Sequence, residues 1–130
     1  MEFFKYINIQ TTEDQLRKIL DFENLSLLST NIFLMNSNSN IAQIGGIWGD
    51  FSLQKDFIRG GVRFSLLECP NALSFTFTTG YPPEPKQIVL HLTINRKTIS
   101  KEFTEEIEDF MLDWKEGFEK RTMLGIGSVN

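Results

Sequence analysis

The strongest constraint on this chain is a strict alternation of apolar and polar residues in three successive stretches near its middle. They are Val62-Arg63-Phe64-Ser65-Leu66-Leu67, Leu73-Ser74-Phe75-Thr76-Phe77-Thr78 and Ile88-Val89-Leu90-His91-Leu92-Thr93-Ile94. A period of two is the signature of strands with one buried face. The apolar set is Val62, Phe64, Leu66, Leu73, Phe75, Phe77, Ile88, Leu90, Leu92 and Ile94. The other set holds Arg63, Ser65, Ser74, Thr76, Thr78, Val89, His91 and Thr93, and it is short of the Lys and Glu that a freely hydrated face carries. Short hydroxyls with one Arg and one His suit a face partly covered by a partner, a ligand or another element.

The short connections between these stretches imply antiparallel neighbours. Matching the faces sets Phe75 across from Phe64 and Ser74 across from Ser65. His91 then opposes Ser74 or Thr76, because a slip of one residue would set apolar against polar positions. Either way Arg63, Ser65, Ser74, Thr76, His91 and Thr93 share one patch.

The apolar face needs a cover, and the C-terminal segment supplies one. Phe103, Ile107, Phe110, Trp114 and Phe118 recur every three or four residues between Ser100 and Arg121, with Met111 beside them, which predicts a long amphipathic helix. Its acids fall early and Lys115, Lys120 and Arg121 late, in the order the helix dipole favours. Upstream, Phe3–Ile9 reads as a strand, and Thr12 with Gln15 three residues on forms a capping-box pattern opening a short helix over Thr12–Phe22. A second strand is expected over Leu27–Met35, a loop at Asn36–Asn40, and a third strand over Ala42–Leu53. Gly45, Gly46 and Gly49 would bulge or bend that third strand, or let another backbone approach it. Turns are expected at Gln54–Gly61, Glu68–Asn71 and the stiff Gly80–Pro85 segment, which holds three prolines.

These elements predict an α+β fold: a twisted antiparallel sheet of five or six strands, mostly a meander, with a short N-terminal helix and a long C-terminal helix on one face. The expected organisation is a single domain over residues 1–122 with a flexible tail over 123–130. The element order is similar to the helix-grip architecture of lipid- and hormone-binding domains, a likeness of order that carries no residue roles with it.

Composition narrows the function classes. A formal charge of −4 and a pI near 5.0 point away from a nucleic-acid binder, which needs clustered cations. Twelve phenylalanines in 130 residues point to a core built on aromatic rings. One Cys, Cys69, leaves no internal disulfide and fits a reducing compartment. One Cys and one His make a poor ligand set for a metal, so neither metal nor cofactor is expected. No segment approaches the roughly 20 apolar residues of a membrane span, and the N-terminus lacks a signal-peptide pattern. The expected location is therefore cytoplasmic, without membrane attachment.

No motif in the chain fixes a chemistry. His91, the one imidazole, is the weak catalytic candidate. A Cys69–His91 nucleophilic pair fails on distance: at about 3.3 Å per strand residue the two lie roughly 16 Å apart. Arg59 and Arg63 flank Gly60-Gly61, where guanidinium forks beside free backbone amides could hold a carboxylate or phosphate. Trp48 among glycines could line a cavity, and Tyr81 heads the proline loop. The candidate binding set is thus Arg59, Arg63, Ser65, Ser74, Thr76, His91, Trp48 and Tyr81. The leading expectation is a non-catalytic homodimeric interaction module using the low-charge face or the proline loop. The alternative is a small apolar or anionic ligand held between sheet and last helix, and behind it an enzyme using His91 with arginines.

Overall fold

The computed structural model describes residues 1–82 and 85–123; Pro83, Glu84 and the expected tail from Leu124 onward lie outside the described residues. In chain order the elements are β1 (Glu2–Ile7), α1 (Glu13–Ile19), a 3-10 turn (Phe22–Asn24), α2 (Leu25–Leu28), β2 (Ile32–Asn38), β3 (Ile41–Gly46), β4 (Gly49–Ile58), β5 (Gly61–Leu66), β6 (Ser74–Thr78), β7 (Ile88–Thr93) and α3 (Lys101–Met123). The fold is α+β as expected. Its seven strands form one antiparallel sheet in the order β1-β7-β6-β5-β4-β3-β2. The first strand therefore lies beside the last, and the rest return in sequence.

The register of the central strands follows from their alternation. Phe64 pairs with Phe75, Ser65 with Ser74, and Thr76 with His91. The apolar faces meet α3, whose N-terminus is capped by the Ser100 hydroxyl accepting from the Phe103 amide at 3.0 Å. Phe110, Trp114 and Phe118 of the helix pack against Phe75 and Phe77 of β6, with ring centroids 5.1 to 5.9 Å apart across the two layers. Each such ring, fully buried, stabilises the fold by roughly 1.5–3 kcal/mol. The Trp114 indole N–H is buried there without a hydrogen-bond partner among the described residues.

The helix is also fastened laterally. Asp113 accepts from the Ser29 hydroxyl (2.6 Å), the Thr30 amide (2.9 Å) and the Thr30 hydroxyl (2.7 Å), tying α3 to the turn after α2. Gly117 lets the same turn come close, since a Cβ there would overlap the Leu28 carbonyl oxygen.

Three expectations need correction. The strand count is seven because the segment read as one strand from Ala42 to Leu53 is a hairpin turning at Ile47-Trp48. Gly49 there has φ +105°, which a side chain would strain. Second, β4 runs on through Lys55 and Phe57, and the turn expected at Gln54–Gly61 shrinks to Arg59-Gly60. The pattern misleads because Lys55 lies over the Phe22 ring at 4.7 Å, burying its stem while its ammonium reaches out. Third, Leu27–Met35 does not start as a strand: Leu25 and Leu28 are buried on a short helical turn, and β2 begins only at Ile32. β2 then continues through the expected Asn36–Asn40 loop to Asn38, with a bulge between Leu34 and Asn36. The space beside Ile44, Phe75 and Phe110 is about 20 Å³, room for about one water.

The short N-terminal helix is where its cap places it. Thr12 is the N-cap and its hydroxyl accepts from the Gln15 amide at 3.2 Å. α1 ends at Ile19, ahead of the 3-10 turn.

Candidate functional site

The face of the sheet away from α3 carries the low-charge set. The register lays Phe4, His91, Thr76, Arg63 and Asp56 in one transverse row over β1, β7, β6, β5 and β4. A parallel row holds Glu2, Thr93, Ser74, Ser65 and Gln54. Two open grooves occupy this face and share only Thr76 and His91. The larger, about 420 Å³, is lined by Arg63, Ser65, Ser74, Thr76, His91 and Thr93, with Leu66, Leu67, Cys69, Ala72 and Leu73 at its far end. The smaller, about 310 Å³, is lined by Phe4, Tyr6, Thr76, Thr78, Thr79, Val89 and His91 and bounded by Tyr81 and Pro82. The low-charge face and the start of the proline loop thus border one depression.

The sequence missed Phe4, Tyr6 and Glu2. Phe4 stacks on the His91 imidazole with centroids 4.4 Å apart and planes 3° from parallel. Glu2 Oε1 lies 2.9 Å from His91 Nε2. Together they hold the ring in one orientation. No serine, threonine or cysteine hydroxyl or thiol hydrogen-bonds to His91 among the described residues, so the imidazole has an orienting carboxylate but no nucleophile. Cys69 sits half-buried beyond the end of β5, in the same groove as His91 but joined to it by no hydrogen bond. No group of three or more His, Cys, Asp or Glu among the described residues is placed to hold a metal ion.

Arg63 is a cation without a counterion. Asp56 is its cross-strand partner, yet the Gln54 side-chain amide donates to Asp56 Oδ2 at 2.8 Å. No carboxylate among the described residues lies within ion-pair distance of Arg63. Beside it the Ser74 and Thr93 hydroxyls bond each other at 3.0 Å. Those of Ser65 and Thr76 have no partner among the described residues.

The loop that walls the larger groove is fastened on both sides. Glu68 accepts from the Ser52 amide at 2.7 Å and the Ser52 hydroxyl at 2.8 Å. These bonds, the amide first, hold the Glu68 carboxyl below its ordinary range. On the other flank the Asn95 amide donates to the Asn71 carbonyl at 2.7 Å, and Arg96 donates to Asn71 Oδ1 at 3.0 Å.

Two expected site residues go elsewhere. Arg59 lies exposed in the β4–β5 turn, outside both grooves. The neighbouring Gly60 amide, which an anion would have needed, donates to Glu13 Oε2 at 2.6 Å. Trp48 sits on the helix side of the sheet against Phe110 (4.9 Å) and Phe103 (6.0 Å). There it borders a cleft of about 190 Å³ with Phe51, Leu66 and Leu73, below the ~300 Å³ at which ligand pockets begin.

The edges of the sheet are protected. Lys115 Nζ donates to the Tyr6 carbonyl at 2.9 Å, and the Asn8 amide donates to Glu119 at 2.9 Å, covering the outer side of β1. Burial would raise the Glu119 carboxyl, but Lys115 and the Asn8 amide outweigh it and lower its pKa. At the opposite edge the bulge in β2 breaks the regular ladder. None of the described helices is long and apolar enough to cross a membrane.

Fold and grooves define an α+β protein with a single antiparallel sheet, one face clamped by a helix and the other open. No protein-family model matches the chain, and no curated protein matches it in sequence. Solved structures do share the architecture. An uncharacterized protein from Bacillus thuringiensis is similar over 91% of this chain and 98% of its own, at 11% identity and a TM-score of 0.59. The protein XoxI from Bacillus cereus is similar over 92% of this chain and 94% of its own, at 10% identity and a TM-score of 0.62. At such identities the likeness shows the fold alone.

Proposed function

We propose that this chain is a non-catalytic interaction module that pairs with a second copy of itself through the open face of its sheet. The observation that carries this reading is the exposed aromatic cluster around the smaller groove: Phe4 is 54% exposed, Tyr6 42% and Tyr81 45%. They surround Thr76, Thr78 and Val89, and among the described residues the groove lining holds no Lys, Arg, Asp or Glu, with Glu2 at its margin on His91. Interface cores are depleted in charge and enriched in aromatic rings, so this is the composition a self-docking face needs.

Charge placement favours the same geometry. Two copies of an acidic chain repel unless their acids stay apart. Glu102, Glu105, Glu108, Asp109 and Glu116 lie on α3, across the sheet from the open face. Face-to-face packing, with sheets about 10 Å apart, leaves both acidic helices on the outside. Edge-to-edge pairing is disfavoured by the covered β1 and the bulged β2. A face-to-face contact is also self-complementary about a two-fold axis.

Light scattering or sedimentation on the full chain tests the reading. The expected result is a dimer at high micromolar concentration. Phe4→Asp should weaken association by about 2 kcal/mol or more, as loss of a buried aromatic anchor does, while leaving the melting curve in place. A wild-type monomer at that concentration overturns the proposal, and so does a dimer indifferent to Phe4→Asp.

A further inference from the structure

We infer that the larger groove is a binding site for a small carboxylic acid with a short apolar body, held by Arg63. The larger groove adjoins the one proposed for self-association and shares Thr76 and His91 with it, so the two readings are tested on separate variants.

The chemistry of the groove selects the ligand. At one end Arg63 presents an unpaired guanidinium, and its planar fork matches a carboxylate in bidentate fashion. Thr76 and Ser65, immediately beside it, have hydroxyl donors that no described residue accepts from. A dianion such as phosphate fits poorly, because Arg63 is the one Lys or Arg in the lining. Asp56 lies across the strand from it and Glu2 beside His91. Both acids oppose an incoming anion, and they oppose a doubly charged one about twice as strongly as a singly charged one.

At the far end the apolar side chains open to the groove are the exposed Leu67 and Ala72, while Leu66 and Leu73 are buried in the core. From Arg63 to the exposed Leu67 is four residues along the chain, at most roughly 13 Å, which leaves room for a chain of about six carbons beyond a bound carboxylate. A volume of about 420 Å³ falls within the ~300–1,000 Å³ of small-ligand pockets. The wall is already fixed by Glu68 on Ser52 and by Asn71 on Asn95 and Arg96, so little loop ordering opposes binding.

Hexanoate and its neutral counterpart hexanamide are the probes, titrated into the full chain at constant ionic strength and followed by amide chemical shifts. Hexanoate should give saturable shifts at Arg63, Ser65, Ser74, Thr76 and Thr93, and hexanamide should bind at least about tenfold more weakly. Arg63→Gln should lose about tenfold or more of the hexanoate affinity, and Arg63→Lys should fall between. As an exposed residue, Arg63 can be changed without unfolding the chain. Equal binding of the two probes, shifts mapping elsewhere, no saturation, or an unaffected Arg63→Gln variant would each overturn the assignment. Light scattering on the same samples separates the two readings: Arg63→Gln should leave association unchanged, and Phe4→Asp should leave the hexanoate response at Arg63 and Ser65 in place.

Discussion

The two faces of the sheet are made from the same strands, residue by residue in alternation, yet they have opposite fates. On the inner face Phe64, Phe75 and Phe77 are closed over by Phe110, Trp114 and Phe118 of α3, and the space beside Phe75 and Phe110 is about 20 Å³. On the outer face Thr76, His91 and Arg63 look into grooves of about 420 and 310 Å³. A side chain's neighbour along the strand tells little about its surroundings; its partner two residues away or across the ladder tells nearly everything. Stability is concentrated on the inner face, which leaves the outer face freer to vary.

The largest expected effect tests that division directly. Trp114→Ala should cost about 3–5 kcal/mol in urea unfolding, the usual loss for a large ring removed from a packed core. Thr76→Ala, on the same sheet but facing outward, should stay within about 0.5 kcal/mol. Similar costs at the two positions would break the comparison. Trp114→Phe sharpens it: the smaller ring leaves space but also removes an indole N–H that lacks a partner among the described residues, and such an orphan donor costs about 1–3 kcal/mol. Its loss should therefore fall well below that of Trp114→Ala.

Next in size is Gly117→Ala on α3. In an ordinary helix interior this change gains about 1 kcal/mol. Here a Cβ would overlap the backbone carbonyl of Leu28, which cannot swing aside as a side chain can. The expected sign is reversed, a loss of about 1–3 kcal/mol. A stabilised variant would mean that α3 rides loosely over α2 and that the inner face is less tightly closed than Asp113 and its three hydrogen bonds imply.

Where two-residue periodicity and the helical stripe are clean, the structure was legible in the sequence. The pair Phe64–Phe75 and the helix over Phe103–Phe118 follow from side-chain pattern alone, and with them the shared patch of Arg63, Ser65, Ser74, Thr76, His91 and Thr93, whereas the pattern left His91 opposite Ser74 or Thr76 and the register decides for Thr76. What was hidden depends on contacts distant in sequence. Nothing local says that β1 docks on β7, so Phe4 and Glu2 could not be placed on His91, though Phe4 and Tyr6 do alternate with Phe3, Lys5 and Ile7. β4 was hidden because Lys55 occupies an inward position by lying over Phe22, which inverts the expected polarity. Trp48 and Arg59 sit in hairpin turns, where the chain reverses and period two no longer assigns a face.

The smallest effect concerns the wall of the larger groove, where the two faces differ in how they respond to acid. The aromatic core of the inner face has no carboxyl to lose, whereas the groove wall hangs partly on Glu68. Its pKa is lowered in the folded protein by the Ser52 amide and hydroxyl. A carboxyl with a lowered folded pKa binds protons more readily when unfolded, so its stabilisation is complete above the ordinary range near 4.5. It drains away as the pH falls through the lowered value. Acidification from about pH 5 to about pH 3 should therefore destabilise the wild type more than Glu68→Gln, with Glu119 adding the same sign to both. Unfolding curves at the two pH values measure the difference. Amide exchange should show where it acts, with Leu67 and Cys69 opening in acid while Phe75 and Phe77 stay protected. Equal acid sensitivity in the two proteins would mean that the wall is held by Asn71 on its other flank, and the groove would keep its shape without the Ser52 bonds.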